Sequence, residues 1–337
     1  MGIPLWVILG PTAVGKSETA VEVAGLIGGE IVVADSMQVY KGMDIGTAKL
    51  TEKEKIASNG RYIPHHLVDI LTPDQPFSVA QYQEMARRAI EQIATAGKIP
   101  LLVGGTALYL RAVIEPTYHF PPLAPDPSVR ERLRQEAQTE GAERLHRRLQ
   151  ELDPETASGL HPHDLRRVIR ALEIYYLTGQ PASRWRRRVG RSLPYDLNLF
   201  GLILPRPLLY ERINRRVEAM LAKGWIEEVK KLLAEGYSPD LPAMKALGYR
   251  QIVAYLKGEL NWEEMVRLIQ RDTRHFAKRQ MTWFRRDPRI QWLDVSQYCD
   301  YKALAQEIVR RGSRTKGLGV EEYTSSKPLN HHRREKR

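Results

Sequence analysis

Only one cysteine, Cys299, occurs in the chain, which excludes an internal disulfide and the multi-cysteine set of a structural zinc site. No stretch approaches the ~20 consecutive apolar residues needed to span a bilayer, so no membrane partner is expected. Met1 runs directly into an apolar segment, without the basic start and long apolar stretch of a secretory signal. The expected compartment is the cytoplasm. No internal repeat is visible. Acidic charge is also in short supply, with 52 Lys/Arg against 40 Asp/Glu and a net charge of +12. The shortfall is local: residues 1–115 carry 10 Lys/Arg and 12 Asp/Glu, and the rest carries 42 and 28. A basic later part suggests a polyanionic partner, with a solvated basic surface as the competing reading.

What is present begins with length. At ~150 residues per domain, 337 residues suggest two domains, and 42% hydrophobic content is enough for a sizeable core. Pro4–Gly10, Glu30–Ala34 and Ile99–Val103 read as buried strands, with helices from Gly15 and over Val79–Ala96. Strands alternating with helices predict a parallel sheet of the α/β class. Residues 116–128 hold five prolines and read as a linker, because proline can continue neither a helix nor a central strand. Helical periodicity then runs to about residue 187, and Asp196–Leu204 returns to strand character. The expected organisation is a core of 1–115 and 195–310, a helical insertion at 116–194, and a basic, disordered tail at 311–337. Residues 207–310 read as helical, broken near Gly224, Gly236 and Gly258.

The sharpest motif is Gly10-Pro11-Thr12-Ala13-Val14-Gly15-Lys16-Ser17, which fits G-x-x-x-x-G-K-[ST] between a predicted strand and helix. Its backbone amides can wrap a diphosphate, Lys16 adds a point charge, and the Ser17 hydroxyl can ligate Mg²⁺. An ATPase or kinase commonly adds an aspartate at the end of another apolar strand. Here Ile99–Val103 ends in Gly104-Gly105-Thr106, and the acid is Asp35, after Glu30–Ala34. Strand C-termini line the ligand crevice of a parallel sheet, so Asp35, Thr106 and the phosphate loop are expected to converge.

The segments Asp35-Ser36-Met37-Gln38-Val39-Tyr40, Met43–Lys49, Pro64–Asp69, Gly104–Tyr109, Arg170–Glu173, Gly248-Tyr249-Arg250 and Lys278–Arg285 together resemble the tRNA dimethylallyltransferase (IPP transferase) family, in order and over most of the chain. The resemblance implies a P-loop fold with an inserted helical domain. It also implies transfer of a prenyl group from dimethylallyl diphosphate to N6 of adenine 37, beside the tRNA anticodon. It assigns Asp35 as general base, Thr106 to adenine or the bridging oxygen, and Lys16 with the loop to the diphosphate. An arginine of the 212–216 segment, represented by Arg212, reaches the same anion.

For the anticodon stem-loop the resemblance implies contacts from Asp35, Ser36, Met37, Gln38, Thr106, Arg166, Arg167, Arg170, Lys245, Gly248, Tyr249, Arg250, Lys278, Arg279, Gln280, Trp283 and Arg285. Rows of cations can track a phosphate backbone, and aromatic rings can stack on bases. Competing readings remain for several of these: a helix cap for Thr106, local turn bonding for Ser36 and Gln38, core packing for Trp283 and Phe284, and a solvated face for the arginines. Val266, Ile269, Thr273, Phe276, Gln280 and Trp283 read as the inner stripe of the last long helix. His65 and His66, adjacent on an extended segment, point to opposite faces and do not read as a metal pair. A monomer is expected. The alternatives are a small-molecule isopentenyltransferase, a P-loop kinase or ATPase, and a non-enzymatic RNA-binding module. The zinc finger that ends some eukaryotic relatives is excluded by the single cysteine.

Overall fold

Six strands form one sheet in the computed structural model, which describes residues 2–115, 126–186 and 194–314. They are β1 (Ile3–Leu9), β2 (Gly29–Ala34), β3 (His65–His66), β4 (Ile99–Gly104), β5 (Tyr195–Ile203) and β6 (Gln291–Asp294). The order is β3-β2-β4-β1-β5-β6 and every pairing is parallel. The α/β class read from the sequence is therefore the observed one. β3 and β6 were not anticipated, and β6 interrupts a region expected to be helical. At two and four residues they are too short for a periodicity to declare itself; pairing with β2 and β5 makes them strands.

Helices α1 (Lys16–Ile27), α2 (Val79–Thr95) and α3 (Ala107–Ile114) follow β1, β3 and β4. α2 starts where a capping box dictates: the Ser78 side chain accepts from the Gln81 amide, and the Gln81 side chain accepts from the Ser78 amide. Next come α4 (Pro127–Glu140), α5 (Ala142–Leu152), α6 (Pro154–Ser158), α7 (Leu165–Thr178) and α8 (Ala182–Arg186), packed around a core of their own that includes Leu133, Leu145, Leu149, Val168 and Leu172. The expected proline linker lies outside the described residues at 116–125. Its last part is helix instead: Asp126 caps α4 and Pro127 occupies the first turn, where its missing N–H costs nothing.

After β5 come α9 (Arg206–Ala222), α10 (Trp225–Ala234), α11 (Tyr249–Leu256), α12 (Trp262–Phe284) and α13 (Tyr301–Arg314). The expected tail therefore begins too early at 311, since helix continues to Arg314; 315–337 lie outside the described residues. Successive residues of β1 serve opposite faces. Trp6 and Ile8 join one core with Val23 of α1 and Leu304 of α13; Leu5, Val7 and Leu9 join another with Tyr82 and Ile90 of α2 and Leu110 of α3. α9–α12 enclose a third core, into which the segment after β2 inserts Val39, Tyr40 and Met43.

The inner stripe of α12 departs from expectation. The buried residues are Met265, Ile269, Ala277, Gln280 and Phe284, whereas Phe276 and Trp283 are exposed. The expected stripe stepped by alternate fours and threes, a 3.5-residue repeat. A straight helix of 3.6 residues per turn drifts ~20° per heptad from it, roughly 65° over 23 residues, enough to bring Ala277 and Phe284 inward in place of Phe276 and Trp283.

Gly248 shows how tightly the third core closes. It has a φ of +89°, and a Cβ there would lie 1.9 Å from the Trp225 ring. Gly248→Ala is expected to destabilise the fold by at least the ~1–3 kcal/mol typical of overpacking, read as a lower urea midpoint at unchanged slope.

Candidate active site

Parallel register assembles the site. Leu9 pairs with Gly104, and Gly104 with Ala34, so three strands end at one level. The next residues, Gly10, Asp35 and Gly105, therefore emerge side by side. Contact is close: a Cβ on Gly104 would lie 2.1 Å from the Ala34 carbonyl oxygen, and one on Gly10 would lie 2.6 Å from that of Leu202. A cleft of about 620 Å³ opens above them.

The phosphate loop uses left-handed backbone at Ala13 and Gly15, and Gly15 caps α1. Thr12, Ala13, Gly15, Lys16 and Ser17 line the cleft; Gly10, Pro11 and Val14 do not, and Val14 is wholly buried in the core. Lys16 Nζ donates to the Pro11 carbonyl at 2.7 Å. Burial, helped by the nearby Arg216 charge, pushes the Lys16 ammonium down to about 8, against the pull of Asp35 and Glu18. Of the arginines in the 212–216 segment, among which the sequence leaves the choice open, Arg216 lines the cleft, and Arg212 lies beside Tyr301. Both share one side of α9, where burial of Leu209, Ile213 and Val217 turns it, and what separates them is about one helical turn, ~6 Å along the axis. Tyr301 lies against Gly15, and a Cβ there would meet its ring at 2.5 Å.

Asp35 Oδ1 accepts from the amides of Met37 and Gln38, at 2.8 and 3.3 Å, which fixes the carboxylate at the cleft floor. Thr106 makes no helix-capping bond; its Oγ1 instead accepts from the Ser36 amide at 3.2 Å. Gln38 Nε2 donates to the Thr47 carbonyl at 3.0 Å, so local bonding holds this side chain. Beneath Asp35, Tyr82 and Tyr109 stack at 4.0 Å between centroids, and burial together with the Asp35 charge pushes both phenols up.

Glu228, which sequence reasoning missed, and Lys49, known from the sequence only as the end of the Met43–Lys49 motif, secure the segment after Asp35. Glu228 of α10 accepts from the amides of Asp44, Ile45 and Gly46, at 2.8, 2.6 and 3.2 Å, and from the Tyr249 hydroxyl at 2.6 Å. Lys49 donates to the Tyr40 carbonyl at 2.6 Å and pairs with Asp44 and Asp69. No local signal marks Glu228, an acid in the first turn of an ordinary amphipathic helix.

Among the positions expected to touch RNA, Asp35, Ser36, Met37, Gln38, Thr106 and Tyr249 line the cleft. Tyr249 is 1% exposed with its hydroxyl committed to Glu228, so base stacking is closed to it. Gln280 is 5% exposed and faces inward. Its Oε1 accepts from the Thr12 amide and its Nε2 donates to the Gly105 carbonyl, both at 2.9 Å, which removes it from an RNA-facing surface. The same bond commits the Thr12 N–H, which sequence reasoning had aimed at the diphosphate.

Arg170 shares the wholly buried Glu173 with Arg130. Arg250 pairs with half-buried Asp272, which also accepts from Arg271 and Gln251, whereas Arg167 and Lys245 hold exposed ion pairs with Asp164 and Asp240. Such pairs contribute only ~0–1 kcal/mol and exchange readily for a phosphate. Arg166, Lys278, Arg279 and Arg285 are exposed, Trp283 lies under Arg111 at 5.5 Å, and Phe284 is core. His66 contacts Glu30 and His65 contacts the Ile63 carbonyl; no group of three His, Cys, Asp or Glu among the described residues is arranged to hold a metal.

A family model described as IPP transferase matches residues 38–287. A tRNA dimethylallyltransferase of Moorella thermoacetica is 53% identical over 295 residues, 87% of this chain and 90% of that protein. One from Thermomicrobium roseum is 46% identical over 307 residues, 91% of each chain. The crystal structure of a full-length tRNA isopentenylpyrophosphate transferase from Bacillus halodurans superposes with a TM-score of 0.66 at 41% identity, covering 93% of this chain and 96% of that one. A eukaryotic dimethylallyltransferase acting on tRNA gives a TM-score of 0.77 at 27% identity over 95% of this chain and 81% of that one.

Two outcomes test the site. Glu228→Ala leaves three amides and a buried phenol without their acceptor and is expected to cost ~1–3 kcal/mol in urea unfolding. Assigning pyrophosphate to the Lys16 cation predicts a pH dependence, because that cation is present below a pH of about 8 and lost above it. Affinity should therefore fall as pH rises through that value, and calorimetry should find this added loss absent in Lys16→Met.

Proposed function

The chain belongs to the IPP transferase family of tRNA-prenylating enzymes, and from that premise we propose that it transfers a dimethylallyl group from dimethylallyl diphosphate to N6 of adenosine 37 in tRNA, as a cytoplasmic monomer. The observation that carries this reading is the convergence of the phosphate loop, Asp35 and Thr106 at neighbouring strand ends in one cleft. The exocyclic amine of adenine is a poor nucleophile because its lone pair is delocalised into the ring. Asp35 accepts its proton as N6 attacks the allylic carbon; the new C–N bond forms as the C–O bond to diphosphate breaks. With Oδ1 held by two amides, the carboxylate is oriented before the base arrives. Thr106 Oγ1, fixed by the Ser36 amide, orients adenine or donates to the bridging oxygen.

Charge develops on the departing diphosphate, and Lys16, Arg216 and the loop amides other than that of Thr12 offset it; support for this role is that Lys16 and Arg216 both line the cleft. The Ser17 hydroxyl lines the same cleft, and the described residues provide no three-ligand metal site of their own. Ser17 is the residue that would hold a Mg²⁺ ion there, and the cation would supply neutralisation of leaving-group charge. The helical unit within 116–194 and the exposed cations of α12 grip the anticodon stem-loop. Adenine 37 must leave its stack to reach Asp35, at a cost of a few kcal/mol, repaid by contacts in the cleft.

The decisive test is transfer of labelled prenyl to an unmodified anticodon stem-loop, with AMP as the matched acceptor. Labelled RNA is expected, and Asp35→Ala should lose ~10²–10⁴-fold in rate. Label on AMP alone would identify a small-molecule isopentenyltransferase, and ATP consumption without either product would identify a P-loop ATPase.

A further inference from the structure

We infer that Gln280 is a positioning residue that fixes the distance between the phosphate loop and the Thr106 turn, a role that rests on the reaction proposed above. A primary amide accepts and donates from two atoms bonded to one planar carbon, and it does so without a charge at any ordinary pH. Gln280 uses both: Oε1 accepts from Thr12 N and Nε2 donates to Gly105 O, each at 2.9 Å. The first partner sits in the loop that receives the leaving group. The second immediately precedes Thr106, whose Oγ1 is tied to the Ser36 amide next to Asp35. One side chain thus spans the two halves of the reaction, the diphosphate side and the adenine side.

The surroundings are built for this contact. Gly105 has no Cβ, and one placed there would lie 2.3 Å from Gln280 Nε2, so the amide seats only against glycine. Gln280 stands on the inner face of α12 between Ala277 and Phe284, both buried, which fixes its origin. The phosphate loop needs such a restraint, since Ala13 and Gly15 hold left-handed backbone. A ~1 Å misplacement of reacting groups can cost ~10²-fold in rate.

The test uses the full chain with the stem-loop and dimethylallyl diphosphate, after circular dichroism establishes folding. Gln280→Met, of similar length, removes both hydrogen bonds; kcat should fall ~10²-fold while the KM for RNA stays within about threefold. A raised RNA KM at unchanged kcat would overturn the inference in favour of direct RNA contact, and a lowered melting temperature with wild-type kcat would reduce Gln280 to packing. Gln280→Glu supplies a second readout. As a carboxylate it keeps the acceptor for Thr12 N but presents no donor to Gly105 O; as a buried neutral acid it regains that donor. Its kcat relative to wild type at each pH should therefore rise as pH falls from 8.5 to 6, and a flat ratio would overturn the clamp. If the wild-type chain prenylates no RNA, the proposed function fails by itself. The clamp is then judged on inorganic pyrophosphate affinity, which should weaken about three- to tenfold in Gln280→Met and would refute it if unchanged.

Discussion

The level at which Leu9, Ala34 and Gly104 stand abreast is the constraint on which the cleft depends. Parallel strands paired in that register release their chains at one edge. A phosphate loop, a carboxylate and a hydroxyl far apart in sequence therefore come together without any one of them attracting another. The glycine at the end of β4 permits that spacing, because any side chain there would strike the Ala34 carbonyl. Shifting one strand by one residue would turn its side chains to the other face and withdraw its contribution.

Around that edge, groups from the later half of the chain hold the earlier half in place. Glu228 gathers three amides of the 44–46 turn, Gln280 bridges the phosphate loop and the Gly104-Gly105 turn, and Arg216 closes the cleft beside Lys16. Val39, Tyr40 and Met43 are buried among α9–α12, so the segment after Asp35 is anchored at both ends. Lys16 and Arg216 are two cations confined together. Burial works against both charges, and the nearby carboxylates of Glu18 and Asp35 offset it only in part. Such a site favours a compact, multiply charged anion.

The basic surface divides into kinds that charge counting treats alike. Arg170 is locked on buried Glu173 and belongs to the helical core, whereas Arg166, Lys278, Arg279 and Arg285 stand in solvent. The exposed set is what a phosphate backbone can engage without first breaking a buried ion pair.

Sequence alone determined the α/β class, the phosphate loop, and Asp35 and Thr106 as residues following apolar strands, because these follow from local patterns: β-branched runs, glycine at a tight turn, a G-x-x-x-x-G-K-S spacing. It also carried the family resemblance, which is a matter of motifs in order. Tertiary structure alone decided the rest. β6 exists because β5 offers it a partner, and four residues carry no period of their own. Arg216 lines the cleft because burial of Ile213 and Val217 turns that side of α9 toward it and the packing of α9 sets which of its turns lies at the opening. Ala277 and Phe284, rather than Phe276 and Trp283, face inward because α12 keeps 3.6 residues per turn where the apolar pattern suggests 3.5, and Gln280 finds its partners only where α12 meets the phosphate loop and the Gly105 turn. Tyr249 and Glu228 have each other as partners through a contact 21 residues apart in sequence. Each of these depends on which surfaces meet, and a pairwise contact between distant residues leaves no trace in the local spacing of either.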